Sequence, residues 1–145
     1  GWIVNVASMA GHLGLPYGGA YTATKFAVVG LSESWSSELA DQGVHVSVLC
    51  PAFVQTRIHE SQRNRPQRYA KTTTADGQSP MELQIKDMVE NGMPVSLVGR
   101  RVVEALAARE LYIFTHAEGF REAVQDRFAA IDNAFARVAD SDVLG

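Results

Sequence analysis

A single cysteine, Cys50, in 145 residues excludes an internal disulfide, and its place in an apolar run suits an inert buried thiol. No apolar stretch approaches the ~20 residues needed to span a bilayer. The opening residues lack a charged-then-apolar leader pattern, so a cytoplasmic location is the expectation. A net charge of −3 gives no electrostatic case for nucleic acid or a membrane surface. His12, His45, His59 and His116 are scattered, with no H-E-x-x-H or comparable spacing, so no metal site is expected. Gly11, Gly14, Gly18 and Gly19 do not fit G-x-G-x-x-G, so the glycine-rich phosphate-binding turn is missing too. Internal repeats and low-complexity tracts are also lacking.

What is there is an ordinary globular balance, 46% hydrophobic and 20% charged, in a length that fits one domain with a real core. Residues 2–7 form a nearly continuous apolar run, as expected of a strand buried on both faces of a parallel sheet. Glycines and Pro16 mark a loop after it. From Ala20, apolar residues recur at Ala23, Ala27, Val28, Leu31, Trp35 and Leu39, a helical stripe that Gly43 stops. Residues 44–50 read as a second strand, ended by Pro51. Strand–helix–strand order implies a parallel pair with a right-handed crossover. That unit puts Ser8 and residues 51–56 at the carboxyl ends of neighbouring strands, where open α/β sheets bind ligands.

Residues 57–94 are polar and irregular, with Arg63, Arg65, Arg68 and Lys71 among breaks at Gly77, Pro80, Gly92 and Pro94. A short amphipathic helix is expected over 81–90. The basic cluster reads as a solvated surface loop, with recognition of an anionic group as the alternative. Residues 95–109 read as a helix with Val98, Val102, Val103 and Leu106 on one face, and 111–115 as a short strand. Residues 119–139 carry Phe120, Val124, Phe128, Ile131, Phe135 and Val138 at helical spacing, a packing stripe that would cover a subunit edge.

The chemistry-bearing pattern is Tyr21-Thr-Ala-Thr-Lys25, with Ser8 upstream at the end of the first apolar run. On a helix, positions i and i+4 share a face, with Cβ atoms roughly 5–6 Å apart. An ammonium beside a phenol favours the phenolate, and a phenol so tuned can exchange a proton in step with hydride transfer. A serine hydroxyl nearby would polarise a carbonyl oxygen, or else simply cap its own turn. His12 and Tyr17 lie between Ser8 and Tyr21 and read as ordinary loop positions, with a substrate-facing role as the alternative.

Three blocks, in order, resemble the short-chain dehydrogenase/reductase family. Gly1-Trp-Ile-Val-Asn-Val-Ala-Ser8-Met-Ala-Gly11 is similar to its fifth strand and serine turn. Ala20-Tyr-Thr-Ala-Thr-Lys-Phe-Ala-Val-Val-Gly-Leu-Ser-Glu-Ser34 resembles its active-site helix. Val44-His-Val-Ser-Val-Leu-Cys-Pro51-Ala-Phe-Val-Gln-Thr56 resembles its sixth strand and the turn after it. The resemblance implies the C-terminal portion of a Rossmann-like, doubly wound parallel α/β domain. Its segments would be a catalytic strand and helix over 1–56, a substrate lid over 57–94, and a helix, last strand and C-terminal helix over 95–140.

The resemblance further implies an NAD(P)-dependent oxidoreductase interconverting a small-molecule alcohol and ketone. Tyr21 would be the general acid/base, Lys25 its partner and a ligand of the nicotinamide ribose, and Ser8 the holder of the carbonyl. Pro51, Val54 and Thr56 would grip the nicotinamide carboxamide, with Ala52 where the family usually has glycine. Asn5 is not the family's catalytic asparagine. NAD versus NADP is open, and a homo-dimer or homo-tetramer is expected of the whole protein. The alternatives are an incomplete, non-catalytic fragment or interaction subunit, and an epimerase or dehydratase using the same pair. As half of a domain, the chain would leave a strand edge and apolar surface uncovered.

Overall fold

The computed structural model describes residues 1–69, 79–139, 141 and 143. Its elements run β1 (Trp2–Val6), α1 (Gly19–Glu38), β2 (His45–Cys50), α2 (Pro80–Glu90), α3 (Val95–Ala107), β3 (Tyr112–Phe114) and α4 (Phe120–Ala139), with short 3-10 turns between. The three strands form one parallel sheet in the order β1-β2-β3. Its register pairs Trp2 with His45 and Val6 with Leu49, then Val48 with Tyr112 and Cys50 with Phe114. The contacts gather into two compact units, Gly1–Ala52 with Ala105–Gly145, and Phe53–Glu104.

In the first unit β2 is the middle strand, which is why its run of apolar residues is buried from Val46 to Cys50. Ser47 is the polar exception, and it is satisfied by donating to the Glu110 carbonyl at 2.7 Å. The core gathers Ala7, Met9, Val29, Val48 and Cys50, with Val28, Ala52, Phe120 and Val124 packed against it. β1 is an edge strand of the described sheet, with Trp2 and Val6 more than half exposed, so the expected uncovered strand edge is found and the expected burial on both faces is not.

The buried face of α1 is also rotated from the apolar stripe. Ser32 lies at its centre, fully buried, while Ala23, Ala27 and Leu31 are exposed. A hydroxyl is tolerated there because Ser32 donates to the Val28 carbonyl at 2.7 Å and accepts from Asn5 Nδ2 at 3.0 Å. Gly43 adopts a left-handed φ of 69° before β2, as the expected stop requires. In α4 the stripe divides: Phe120 and Val124 pack on the core, while Phe128, Ile131, Phe135 and Val138 are exposed.

The second unit contains more regular structure than an irregular loop. Residues 58–64 and 67–69 form 3-10 turns, and α2 starts at a capping box in which Ser79 and Glu82 satisfy each other's backbone amides. Val54 and Met93 make a parallel bridge, closed by Met93 N to Phe53 O and Gln55 N to Met93 O, both at 2.9 Å. Gly92 permits that approach, since a Cβ there would lie 2.6 Å from the Phe53 carbonyl oxygen. α3 ends at Ala107, short of the expected boundary at 109, and Arg109 turns left-handed at φ 56°. Val103, expected on its packed face, is 68% exposed. Lys71 and Gly77 lie outside the described residues.

Candidate active site

The serine turn is fixed by continuation of the sheet beyond β1. Ala7 N donates to Leu49 O at 2.8 Å and Met9 N to Pro51 O at 2.9 Å. Ser8 sits between them in extended conformation and caps the turn over Met9–Gly11, its Oγ accepting from Ala10 N at 3.1 Å. The same hydroxyl donates to the Pro51 carbonyl at 3.4 Å, a long bond. The capping role expected as the plain alternative is therefore real. It leaves the hydroxyl proton in a weak bond that a substrate oxygen could replace.

Tyr21 is the third residue of α1 and Lys25 lies one turn on, with Nζ 5.6 Å from the Tyr21 ring centroid. Lys25 Nζ also donates to the carbonyl of Val6 at 3.1 Å. One ammonium thus joins the end of β1 to the tyrosine's helix, two residues before Ser8. Tyr21 is 42% exposed, so its phenol is open to a ligand. Gly11 sets the approach of the serine turn to this helix: a Cβ there would meet Val29 Cγ2 at 2.7 Å and the Lys25 carbonyl oxygen at 2.9 Å.

Within the first unit, then, Ser8 is bonded to Pro51, and Lys25 touches both Tyr21 and β1. Val54 and Thr56 belong to the second unit. There the Thr56 hydroxyl accepts from Ile58 N at 3.4 Å. The Val54–Met93 bridge uses the Phe53 carbonyl and the Gln55 amide, leaving Val54's own amide and carbonyl outside the pair. These two residues present a hydroxyl and a backbone amide unit, groups able to bind a carboxamide.

The residues between Ser8 and Tyr21 separate into two environments. His12 is not presented outward. It is buried with Nε2 3.3 Å from Cys50 Sγ, and its ring packs against Tyr112 and Phe114. Burial depresses its basicity, offset in part by Glu33 and reinforced by Arg127. Burial likewise pushes the Cys50 thiol up to about 12, against a smaller opposing effect of Lys25. Tyr17 is the opposite case, 98% exposed with a left-handed φ of 60°.

Sequence reasoning missed the bond that Tyr112 Oη donates to Glu33 Oε1, which ties β3 to α1 at 2.5 Å. Burial and that hydrogen bond raise the Tyr112 phenol to about 12. The partners are 79 residues apart, so no local spacing could reveal them. In the second unit, Arg57 is bonded to Glu60, Arg63 to the Arg57 carbonyl and Arg65 to the Tyr69 carbonyl, while Arg68 lies over the Tyr69 ring. The Glu60 carboxyl is held below its usual range, chiefly by the Arg57 hydrogen bond. Among the described residues no three His, Cys, Asp or Glu side chains are placed to hold a metal ion, and no helix is long and apolar enough to cross a membrane.

Residues 1–67 match the short chain dehydrogenase family. The CLA biosynthesis dehydrogenase/reductase of Lactiplantibacillus plantarum is 35% identical over 135 residues, 89% of this chain and 47% of that protein. The 3beta-hydroxysteroid dehydrogenase of Mediterraneibacter gnavus is 34% identical over 113 residues, 77% of this chain and 41% of that one. A crystal structure of a short chain dehydrogenase/reductase from Burkholderia phymatum in complex with NAD superposes with a TM-score of 0.80 at 36% identity, covering 92% of this chain and 48% of that one. The α/β architecture is thus that of a Rossmann fold in part. The chain spans about half the length of the relatives it matches.

Proposed function

We propose, on the premise that the chain belongs with the short-chain dehydrogenases/reductases as its matches support, that it carries the proton-transfer centre of an NAD(P)-dependent oxidoreductase interconverting an alcohol and a ketone. The observation that carries this reading is the contact of the Lys25 ammonium with the exposed Tyr21 ring, beside a serine turn bonded to Pro51. In reduction Tyr21 Oη gives its proton to the developing alkoxide; in oxidation it takes the hydroxyl proton. Lys25 lies over the Tyr21 ring and ties its helix to the end of β1. Ser8 Oγ turns from the Pro51 carbonyl to the substrate oxygen, a bond that strengthens as negative charge develops there.

A bound nicotinamide would supply or accept the hydride. The relative from Burkholderia phymatum holds NAD, and the donor set here fits such a group. Lys25 has one protein acceptor and three N–H donors, which leaves capacity for ribose hydroxyls. Pro51 in the first unit, and Val54 and the Thr56 hydroxyl in the second, are carboxamide ligands on the resemblance alone. Ala52 adds a methyl group at the family's usual glycine, without removing a donor. The preference between NAD and NADP rests on neither residue set. Assembly as a homo-dimer or homo-tetramer, and a cytoplasmic location, are carried by the resemblance alone.

The test is Tyr21→Phe in the intact protein, assayed by nicotinamide absorbance against a panel of ketones and alcohols. Turnover should disappear while cofactor binding by calorimetry persists. Retained turnover would sink the assignment. A transient absorbance change without net redox product would point instead to epimerisation or dehydration by the same pair.

A further inference from the structure

The His12 imidazole is buried, and proton transfer at Tyr21 makes no use of it. The backbone of His12 closes the serine turn, its N donating to Met9 O at 3.0 Å, just as Ser8 opens that turn. Its side chain reaches the end of β2, with Nε2 3.3 Å from Cys50 Sγ. The thiol lies 3.7 Å from the Val48 carbonyl, which can only accept, so the S–H points there and Nε2 donates to the sulfur. The ring packs against Tyr112 and Phe114 on β3, at centroid separations of 5.9 and 5.3 Å. Glu33 of α1, bonded to Tyr112, and Arg127 of α4 are the charged groups that act on it. All of these partners belong to the first unit.

Cys50 immediately precedes Pro51, whose carbonyl accepts from Met9 N at 2.9 Å and from Ser8 Oγ at 3.4 Å. Both ends of the serine turn are thus clipped to the same two residues at the end of β2. The clips are not equivalent. Engaging a substrate oxygen takes the Ser8 hydroxyl off Pro51, and the turn must then keep its place by other bonds. The Met9 amide holds its start, and the His12 ring holds its end. Downstream, the chain bonds to itself and to the helix rather than to the sheet. There Gly18 N donates to Leu15 O at 3.1 Å, closing a tight turn, and Leu15 N donates to Thr22 Oγ1 at 3.4 Å.

We propose that His12 is a positioning residue for Ser8: by clipping the far end of the serine turn to Cys50, it keeps the Ser8 hydroxyl aimed at the substrate oxygen once that hydroxyl has left Pro51. This rests on the oxidoreductase reading above. The imidazole touches no substrate and moves no proton. It acts through a bond that strengthens in the transition state, so its loss should appear in kcat and not in KM.

The experiment uses the intact protein and three ketone probes: cyclohexanone, tetralone and a straight-chain methyl ketone. His12→Phe keeps a ring against Tyr112 and Phe114 but deletes Nε2, and Cys50→Ala cuts the same contact from the other end. Each should lower kcat about tenfold, less than the ~10²-fold that a misplacement of about 1 Å can cost. KM should stay within about twofold. His12→Gln, which returns an N–H at similar reach, should restore most of the rate. In a Ser8→Ala background His12→Phe should have less than about a twofold further effect, because residues that act through one another are not additive. A merely structural role would cost the same in both backgrounds.

Amide exchange by NMR supplies a readout without turnover. Protection of the Met9 and Ala10 amides, bonded to Pro51 O and Ser8 Oγ, should fall about tenfold in His12→Phe, while that of Val48 is kept. If no ketone is turned over and that protection falls, the oxidoreductase reading fails while His12 still holds the serine turn. Unchanged protection, an equal kcat loss with and without Ser8, or no rescue by glutamine would overturn the proposal.

Discussion

Lys25 donates to the carbonyl oxygen of Val6 at 3.1 Å, so the ammonium that faces the Tyr21 ring also holds the end of β1. The two jobs separate on substitution. Lys25→Met should lower kcat/KM by ~10²–10³, the cost of deleting one oriented electrostatic group. Stability should fall by only about 1 kcal/mol, because the lost bond is solvent-exposed. Lys25→Arg should recover stability better than rate, since a planar guanidinium does not reproduce an ammonium's geometry. Steady-state kinetics beside urea unfolding read both quantities. Loss of rate no greater than the unfolded fraction would argue against any role in turnover.

Gly11 carries the second expectation. A Cβ at this position would sit 2.9 Å from the Lys25 carbonyl oxygen and 2.7 Å from Val29 Cγ2. The first contact is backbone and cannot rotate away. Gly11→Ala should therefore destabilise the fold by about 1–3 kcal/mol and move the serine turn away from α1, lowering kcat more than it changes KM. Gly14→Ala, where an added Cβ meets no atom within 4 Å, is the matched control and should be close to neutral.

His12 makes the protein sensitive to acid. Its folded basicity is depressed by burial, so the unfolded chain binds the proton more readily near pH 6.5. The linked stability is present above that range and is lost as pH falls through the lowered folded value. Urea midpoints measured from pH 7.5 to 4.5 should fall with acid, and His12→Phe should flatten the decline. An unchanged slope in that variant would assign the acid sensitivity to other groups.

Cys50 and Tyr112 govern the alkaline side. Both folded values are raised to about 12, so their contribution is intact below the ordinary thiol and phenol ranges and disappears as pH rises toward 12. At pH 8 the native Cys50 thiol, fully buried, should resist a thiol reagent for hours and react within minutes in denaturant. Fast native reaction would show that β2 opens readily. Tyr112→Phe removes the bond to Glu33 and should reduce the alkaline loss.

Much of this arrangement was legible because its determinants are local. The Tyr21–Lys25 spacing becomes a contact because one helix fixes it, and Pro51 meets Ser8 because parallel strands end side by side. What could not be read were pairings at long sequence separation. The His12–Cys50 and Glu33–Tyr112 contacts join residues 38 and 79 positions apart. Apolar counting also misplaced the inward face of α1. It gives no weight to Ser32, whose hydroxyl becomes acceptable inside only once Asn5 and the Val28 carbonyl engage it. The exposure of Trp2 and Val6 on β1 fits the expected uncovered strand edge rather than the expected burial on both faces.

The Leu15–Gly18 turn lies between two anchorages that do not depend on it. Upstream, the serine turn is fastened to Pro51; downstream, α1 is fastened to β1 through Lys25. The intervening residues are therefore an exchangeable cassette. Mutational drift or deliberate grafting there can remodel the exposed surface while the Ser8–Pro51 and Lys25–Val6 bonds stay in place.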